Sequence, residues 1–261
     1  MQDKIVWITG ASSGIGEALT VELSRKGATL ILSARKEQAL REVRSICKNP
    51  ENHLVVPLDL ADLNTISNAV KTVQDRFERV DVLINNGGVS QRAHAVETTI
   101  AVDRRIMDIN YLGTVALTKE LLPGMLTQKA GHIVVVSSVV GKFGTPYRTA
   151  YAASKHALHG FFDSLRAELW SQGIVITLVC PGYVHTNLSI NALAGNGSLF
   201  GKMDDATAQG MTPHYCARIL IEAIERKKEE VYIGRKEVLG VYLKRYLPAL
   251  FSRIIRVVKV R

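Results

Sequence analysis

The sequence predicts an α/β fold, a doubly wound parallel sheet of seven strands with helices on both faces. Three observations predict it. Seven short β-rich runs recur along the chain, most of them continuously apolar, as strands covered on both faces must be. Longer segments of helical period separate them. The first run also passes directly into a glycine-rich turn that opens a helix.

The strand-like runs are KIVWIT (4–9), ATLILS (28–33), HLVVPL (53–58), DVLIN (81–85), GHIVVVS (131–137), GIVITLV (173–179) and EVYI (230–233). After the third, Leu63, Ile66, Ala69, Val70 and Val73 keep helical spacing over 62–79, while Asp62, Lys71, Asp75 and Arg76 can face water. From Asn187 to Met211 four glycines and three asparagines break any period, so this stretch reads as a mobile excursion before a helix near Pro213. Leu188, Ile190, Leu193, Leu199, Phe200 and Met203 give it apolar surface, which suits a substrate lid over about 187–211; a plain surface loop is the alternative. No repeat or low-complexity linker divides the 261 residues, so one domain over 1–261 is expected.

The net charge of +9 is unevenly spread. Beyond Val238 come Lys244, Arg245, Arg253, Arg256, Lys259 and Arg261 with no acid among them, leaving +3 for the rest of the chain. That remainder shows no basic stripe interleaved with aromatics, so no nucleic-acid partner is expected. In the extension over about 238–261, Leu243, Leu247, Leu250, Phe251, Ile254, Ile255 and Val258 gather on one side at ~100° per residue, with most cations opposite. Pro248 should kink or divide this helix. Two readings stand: a basic amphipathic end at an anionic membrane surface, or an apolar stripe packed on the body or a partner subunit. No apolar run approaches the ~18 residues of a spanning helix. The expectation is a soluble cytoplasmic body, peripheral to a membrane at most. Cys47, Cys180 and Cys216 are odd in number and lack CxxC spacing, and the seven histidines form no ligand motif, so neither disulfides nor a metal is expected.

The turn TGASSGIG carries Gly10, Gly14 and Gly16 just before a helix, where glycine lets a pyrophosphate approach the chain and the helix N-terminus attracts its charge. At the end of the second strand, where an adenosine ribose lies in such folds, an acid would bind the 2′-hydroxyl of NAD and a cation the 2′-phosphate of NADP. Here the chain reads Ala34, Arg35, Lys36, which favours NADP(H), with Arg35 as phosphate partner and Ser12 or Ser13 assisting. YAASK sets Tyr151 and Lys155 four residues apart, on one face of a helix. An ammonium about 4 Å from a phenol at an effective dielectric near 20 contributes on the order of 4 kcal/mol, roughly three pKa units before desolvation and screening. Such a tyrosine can serve as a general acid or base.

Taken together, TGASSGIG (9–16), Asp59 after the third strand, NNGG (85–88), NYLG (110–113), Ser138, YAASK (151–155) and PGYVHT (181–186) resemble the short-chain dehydrogenase/reductases across the whole chain. NNGGVSQR, NYLGTVALTK and ASKHALHGFF look closest to the branch of steroid, retinol and related lipophilic-carbonyl dehydrogenases. The family usually has NNAG; Gly87 replaces its alanine, which keeps the backbone accessible to cofactor and is expected to loosen the turn. The resemblance implies a Rossmann-type sheet and a catalytic set of Asn110, Ser138, Tyr151 and Lys155. Ser138 would bind the substrate oxygen, Asn110 would support a water-linked proton relay through Lys155, and Lys155 would also bind the nicotinamide ribose. It implies that Gly10, Ser12, Ser13, Gly14, Ile15, Gly16, Arg35, Asp59, Leu60, Asn86 and Gly87 line the cofactor, with Pro181, Gly182, Val184 and Thr186 around the nicotinamide. The implied reaction is hydride transfer between NADP(H) and a lipophilic carbonyl or alcohol. A ketoacyl-thioester reductase and a non-catalytic NADP-binding regulatory protein are the alternatives. A homodimer or homotetramer is implied through the long helices after the fourth and fifth strands.

Overall fold

The computed structural model describes residues 1–258; Lys259 and Arg261 of the basic extension lie outside the described residues. Seven strands pair in parallel: β1 (Ile5–Thr9), β2 (Thr29–Ser33), β3 (Leu54–Val55), β4 (Val82–Asn85), β5 (Gly131–Val136), β6 (Ile174–Pro181) and β7 (Glu230–Ile233). Their order is β3-β2-β1-β4-β5-β6-β7. The chain therefore winds outward in one direction from β1 and in the other from β4. The carboxyl ends of β1 and β4 flank the point where the order reverses, the place such sheets open a ligand crevice.

Ten helices connect the strands: α1 (Gly14–Arg25), α2 (Glu37–Ser45), α3 (Leu63–Arg76), α4 (Ile100–Met107), α5 (Gly113–Gln128), α6 (Thr149–Leu169), α7 (Asp205–Ala208), α8 (Pro213–Glu225), α9 (Leu239–Tyr246) and α10 (Pro248–Ile255). Continuously apolar strands serve two cores. Val6 and Ile8 of β1 join Leu19 and Leu23 of α1 and Leu220 of α8 on one face. Trp7 joins Ile66 of α3, Leu117 of α5 and Phe162 of α6 on the other. Each fully buried side chain of this size contributes about 2 kcal/mol, which is why both sets of helices are held.

Strand boundaries depart from the sequence reading where backbone chemistry intervenes. HLVVPL yields only Leu54–Val55 as strand, although Val56 and Leu58 still donate to Leu32 O and Ala34 O at 3.0 and 3.1 Å. Pro57 between them has no N–H, so the edge ladder lapses there. β6 runs two residues beyond Val179, because Cys180 and Pro181 pair with Tyr232 and Ile233 of β7. Asp62 caps α3 by accepting from Asn64 N at 2.9 Å. Pro248 divides the C-terminal segment into α9 and α10, as its position predicts. Between α4 and α5 the backbone widens into a π-helical turn over Asp108–Leu112, which the sequence pattern did not signal.

Candidate active site

A cavity of 1860 Å³ runs along the carboxyl ends of the strands. Its first wall is mostly backbone. Gly10 and Gly14 take φ of +65° and +60°, the left-handed region that suits glycine. A Cβ on Gly16 would sit 2.1 Å from Gly10 O, so the helix can meet the turn this closely only without a side chain. Ser13 begins α1 without a side-chain cap, leaving the first N–H groups of the helix to a negatively charged ligand. This cradle fits a dinucleotide pyrophosphate.

Thr9 and Asn86 lock the two strand ends together. Thr9 Oγ1 accepts from Asn86 N at 3.0 Å and Gly87 N at 2.9 Å, and Asn86 Nδ2 donates to Thr9 O at 3.0 Å. The turn at Gly87 is thus pinned rather than loose. A methyl group there would meet Leu60 Cδ1 at 2.8 Å, so glycine suits this neighbourhood. At the end of β2 the exposed Arg35 and Lys36 line the cavity, and Glu37, the nearest acid in sequence, is paired with Arg41. Ser12, Ser13, Ile15, Asp59 and Leu60 also line it, as do Pro181, Gly182, Val184 and Thr186. Gly16 is buried behind the turn.

Ser138, Tyr151 and Lys155 meet at the middle of the cavity. α6 starts two residues before Tyr151, so the tyrosine stands in the first turn with Lys155 one turn further along. Lys155 Nζ lies 5.8 Å from the centre of the Tyr151 ring and donates to Val136 O at 2.8 Å. Burial pulls the ammonium down to about 8. Burial also pushes the Tyr151 phenol above its ordinary value, against the opposing pull of the Arg92 charge, a hydrogen bond from Ser138 and the Arg148 charge. Depression of the phenol by Lys155 is therefore not the balance in this structure; desolvation outweighs the cations. Ser138 Oγ donates to Pro181 O at 3.2 Å, whereas Ser137 turns under α6 and lies 3.0 Å from His159 Nε2. Asn110 is behind the cavity wall. Its side chain accepts from Val89 N at 2.8 Å and donates to Val89 O and Ser154 Oγ at 2.9 and 3.0 Å, fixing the strand that follows NNGG.

Three groups that sequence reasoning did not select lie beside Tyr151. Arg92 Nε donates to Asp204 Oδ2 at 2.7 Å, and Arg148 reaches the same oxygen at 3.4 Å. All three side chains are buried. Their separation along the chain, 112 residues between Arg92 and Asp204, left no local signal. Opposite them the wall is apolar: Phe251 packs edge-on against Phe143 at 5.2 Å and joins Val139, Val140 and Tyr151 in one cluster. Leu243 and Ile255 also pack there, while Leu247, Ile254 and Val258 line the cavity with much of their surface exposed. The apolar stripe of the extension is thus divided, part of it packed on the body.

A family model of short chain dehydrogenases matches residues 4–196. The chain belongs to that family. Oxidoreductase chemistry on a nucleotide cofactor is therefore the setting of this cavity. A dehydrogenase/reductase SDR family protein 7-like of Drosophila melanogaster is 45% identical over 254 residues, covering 95% of this chain and 78% of the relative. A short chain dehydrogenase of Burkholderia cenocepacia, solved with NADP, superposes with a TM-score of 0.80 at 22% identity, covering 97% of this chain and 98% of its own. One from Burkholderia phymatum, solved with NAD, has a TM-score of 0.83 at 22% identity, covering 95% of each chain.

Folding also makes a cluster that histidine spacing did not show. His159, Cys180 and Glu230 bring ligand-type atoms within 4.8 Å of one another below Lys155. Lys142 Nζ already lies 2.8 Å from Glu230, and burial followed by the Lys142 charge holds His159 down at about 4. Among the described residues no helix is long and apolar enough to cross a membrane.

Proposed function

We propose that this short-chain dehydrogenase is an NADP(H)-dependent oxidoreductase acting on a lipophilic carbonyl or secondary alcohol, with Tyr151 as general acid and base. The observation that carries the reading is continuity: one cavity joins Arg35, the Gly10–Ile15 turn, the Ser138–Tyr151–Lys155 group and the apolar wall at Phe143 and Phe251. Gly10, Ser12, Ser13, Gly14, Ile15, Asn86 and Gly87 would hold the dinucleotide, and Arg35 with Lys36 would receive a 2′-phosphate. When bound, the nicotinamide supplies or accepts the hydride.

Tyr151 hands its phenolic proton to the substrate oxygen during reduction and takes it back during oxidation. Ser138 donates to that oxygen, holding the carbonyl against the phenol. Lys155, buried yet still cationic at neutral pH by its value of about 8, stabilises the phenolate left after transfer. Asn110 positions Val89 beside it and would support the water path through which the lysine is reprotonated.

Residues 187–211 act as the lid. Leu188, Leu193 and Leu199 line the cavity from that segment, which suits an apolar ligand. α9 and α10 supply the mouth. Tyr246, Leu247, Leu250 and Val257 are exposed there among Lys244, Arg245, Arg253 and Arg256, a composition suited to peripheral contact with an anionic membrane from which a lipophilic substrate could enter. The protein works as a homodimer or homotetramer through α5 and α6. The decisive experiment is turnover of a carbonyl panel with NADPH and NADH by wild type and Tyr151→Phe. Wild-type turnover that prefers NADPH and falls at least a hundredfold in the variant, with NADPH affinity kept, supports the reading. Near-normal turnover by Tyr151→Phe refutes it.

A further inference from the structure

We propose that Arg92 and Arg148, drawn together by Asp204 of the lid, form a second cationic arm that sets the charge beside the Tyr151 hydroxyl, in addition to Lys155. The inference rests on the reading of Tyr151 as the proton donor. Its basis is an arrangement of buried charge. Arg92 lies in the segment after β4, Arg148 immediately precedes α6, and Asp204 immediately precedes α7. Their side chains keep 4%, 4% and 1% of their surface exposed. Taking such ions out of water costs several kcal/mol apiece, on the order that apolar side chains closing the same wall would avoid.

Orientation gives the cluster a direction. Both arginines line the cavity and Asp204 does not, so the carboxylate stands behind and the guanidiniums stand in front. Ser90 Oγ and Gln91 O accept from Arg92 Nη1 at 2.7 Å each, and Asp204 Oδ2 also receives Thr207 Oγ1 at 3.3 Å; these contacts hold the donors without adding charge. Within the triad two formal cations share one carboxylate. From the other elements packed around the phenol come Lys155 on its own helix, Ser138 after β5, Tyr183 and Glu237 in the cavity wall, and the apolar Phe143 and Phe251. The Tyr151 phenol feels both guanidiniums, which pull against the effect of its burial. Arg92 and Arg148 are thus positioning residues. Asp204 ties them to the lid, so the charge beside Tyr151 is complete only when residues 187–211 are seated.

The test separates charge from scaffolding. It uses NADP+-bound enzyme and reads two quantities: the pH limb of alcohol oxidation, and the tyrosinate difference absorbance of wild type minus Tyr151→Phe. Arg148→Gln removes a cation, so the limb should move to higher pH by about one unit. Asp204→Asn removes the anion, so it should move to lower pH. Arg148→Lys should stay near wild type, and the double variant Arg148→Gln/Asp204→Asn should return toward it. A scaffold would shift both single variants the same way, or neither; either result overturns the proposal. Should Asp204→Asn fail to fold, the contrast of Gln with Lys at position 148 decides. If wild type turns over no substrate while the tyrosinate signal shifts as stated, the functional reading fails and the arm stands. Turnover with an immobile limb does the reverse.

Discussion

At the β1–β4 end of the cavity the wall is backbone: Gly10, Gly14 and Gly87 approach without side chains, and Thr9 pins the neighbouring strand end through N–H groups. At the other end the wall is side chains: Phe251 on Phe143, and Arg92 with Arg148 on Asp204. The difference matters because backbone geometry admits one shape of ligand, whereas a wall of side chains can change with the chain's own sequence. A dinucleotide is invariant in shape and a substrate is not. The first end should therefore fail abruptly when altered, and the second by degrees.

The most severe break should come from Gly16→Ala. Its methyl group would fall 2.1 Å from a backbone oxygen that cannot turn away. The turn must open, and NADPH affinity should drop about a hundredfold, roughly 3 kcal/mol, in a fluorescence titration. Unchanged affinity would show that the backbone end is as tolerant as the other.

Phe251→Ala removes the edge-on partner of Phe143 and should cost about 2 to 3 kcal/mol of local packing. The effect should be graded. KM for long apolar carbonyls rises and α9–α10 becomes protease-sensitive, while NADPH affinity holds. Loss of cofactor binding in this variant would erase the separation between the two ends.

Acid should strike the side-chain half. Burial holds His132 down at about 4, with the Lys227 charge adding to it, and His159 at the same level. A depressed histidine takes up its proton in the unfolded chain first, so stability is intact above about pH 6.5 and is lost as pH falls toward 4. Each should contribute roughly 2 kcal/mol to that loss once relaxation is allowed for. Replacing either with Gln should flatten the slope of denaturation midpoint against pH; an unchanged slope would remove it as a cause.

The smallest effect belongs to Arg35→Ala. The side chain is exposed, so its phosphate contact is partly screened, and NADPH affinity should fall about tenfold with NADH affinity unmoved. Equal loss for both cofactors would argue that Arg35 supports the turn rather than reads a phosphate.

Legibility in the sequence followed the same division. Gly10, Gly14, Gly16, Arg35, Tyr151 and Lys155 stand within local motifs whose geometry follows from helix and turn rules. Thr9 sat beside them unread, because its role appears only when Asn86, 77 residues away, docks on it. Arg92, Arg148 and Asp204 belong to no common period. The direction of the Tyr151 shift was missed for a related reason: a neighbouring lysine is visible in YAASK, but the extent of burial depends on groups from β5 onward, including Phe251. Pro57 was in view within HLVVPL, and its effect on the edge ladder could have been anticipated from its missing N–H.

The π-helical turn at Asp108–Leu112 holds one residue more than the α-helical ladder around it requires. Such an insertion leaves the faces of α4 and α5 in their proper phase and bulges locally, at the place from which Asn110 reaches Val89 and Ser154. A chain shortened by a single residue here would regain an uninterrupted helix, keep the packing on both sides, and lose the anchor of Val89. In this turn the architecture and the reaction make separate demands on the same five residues.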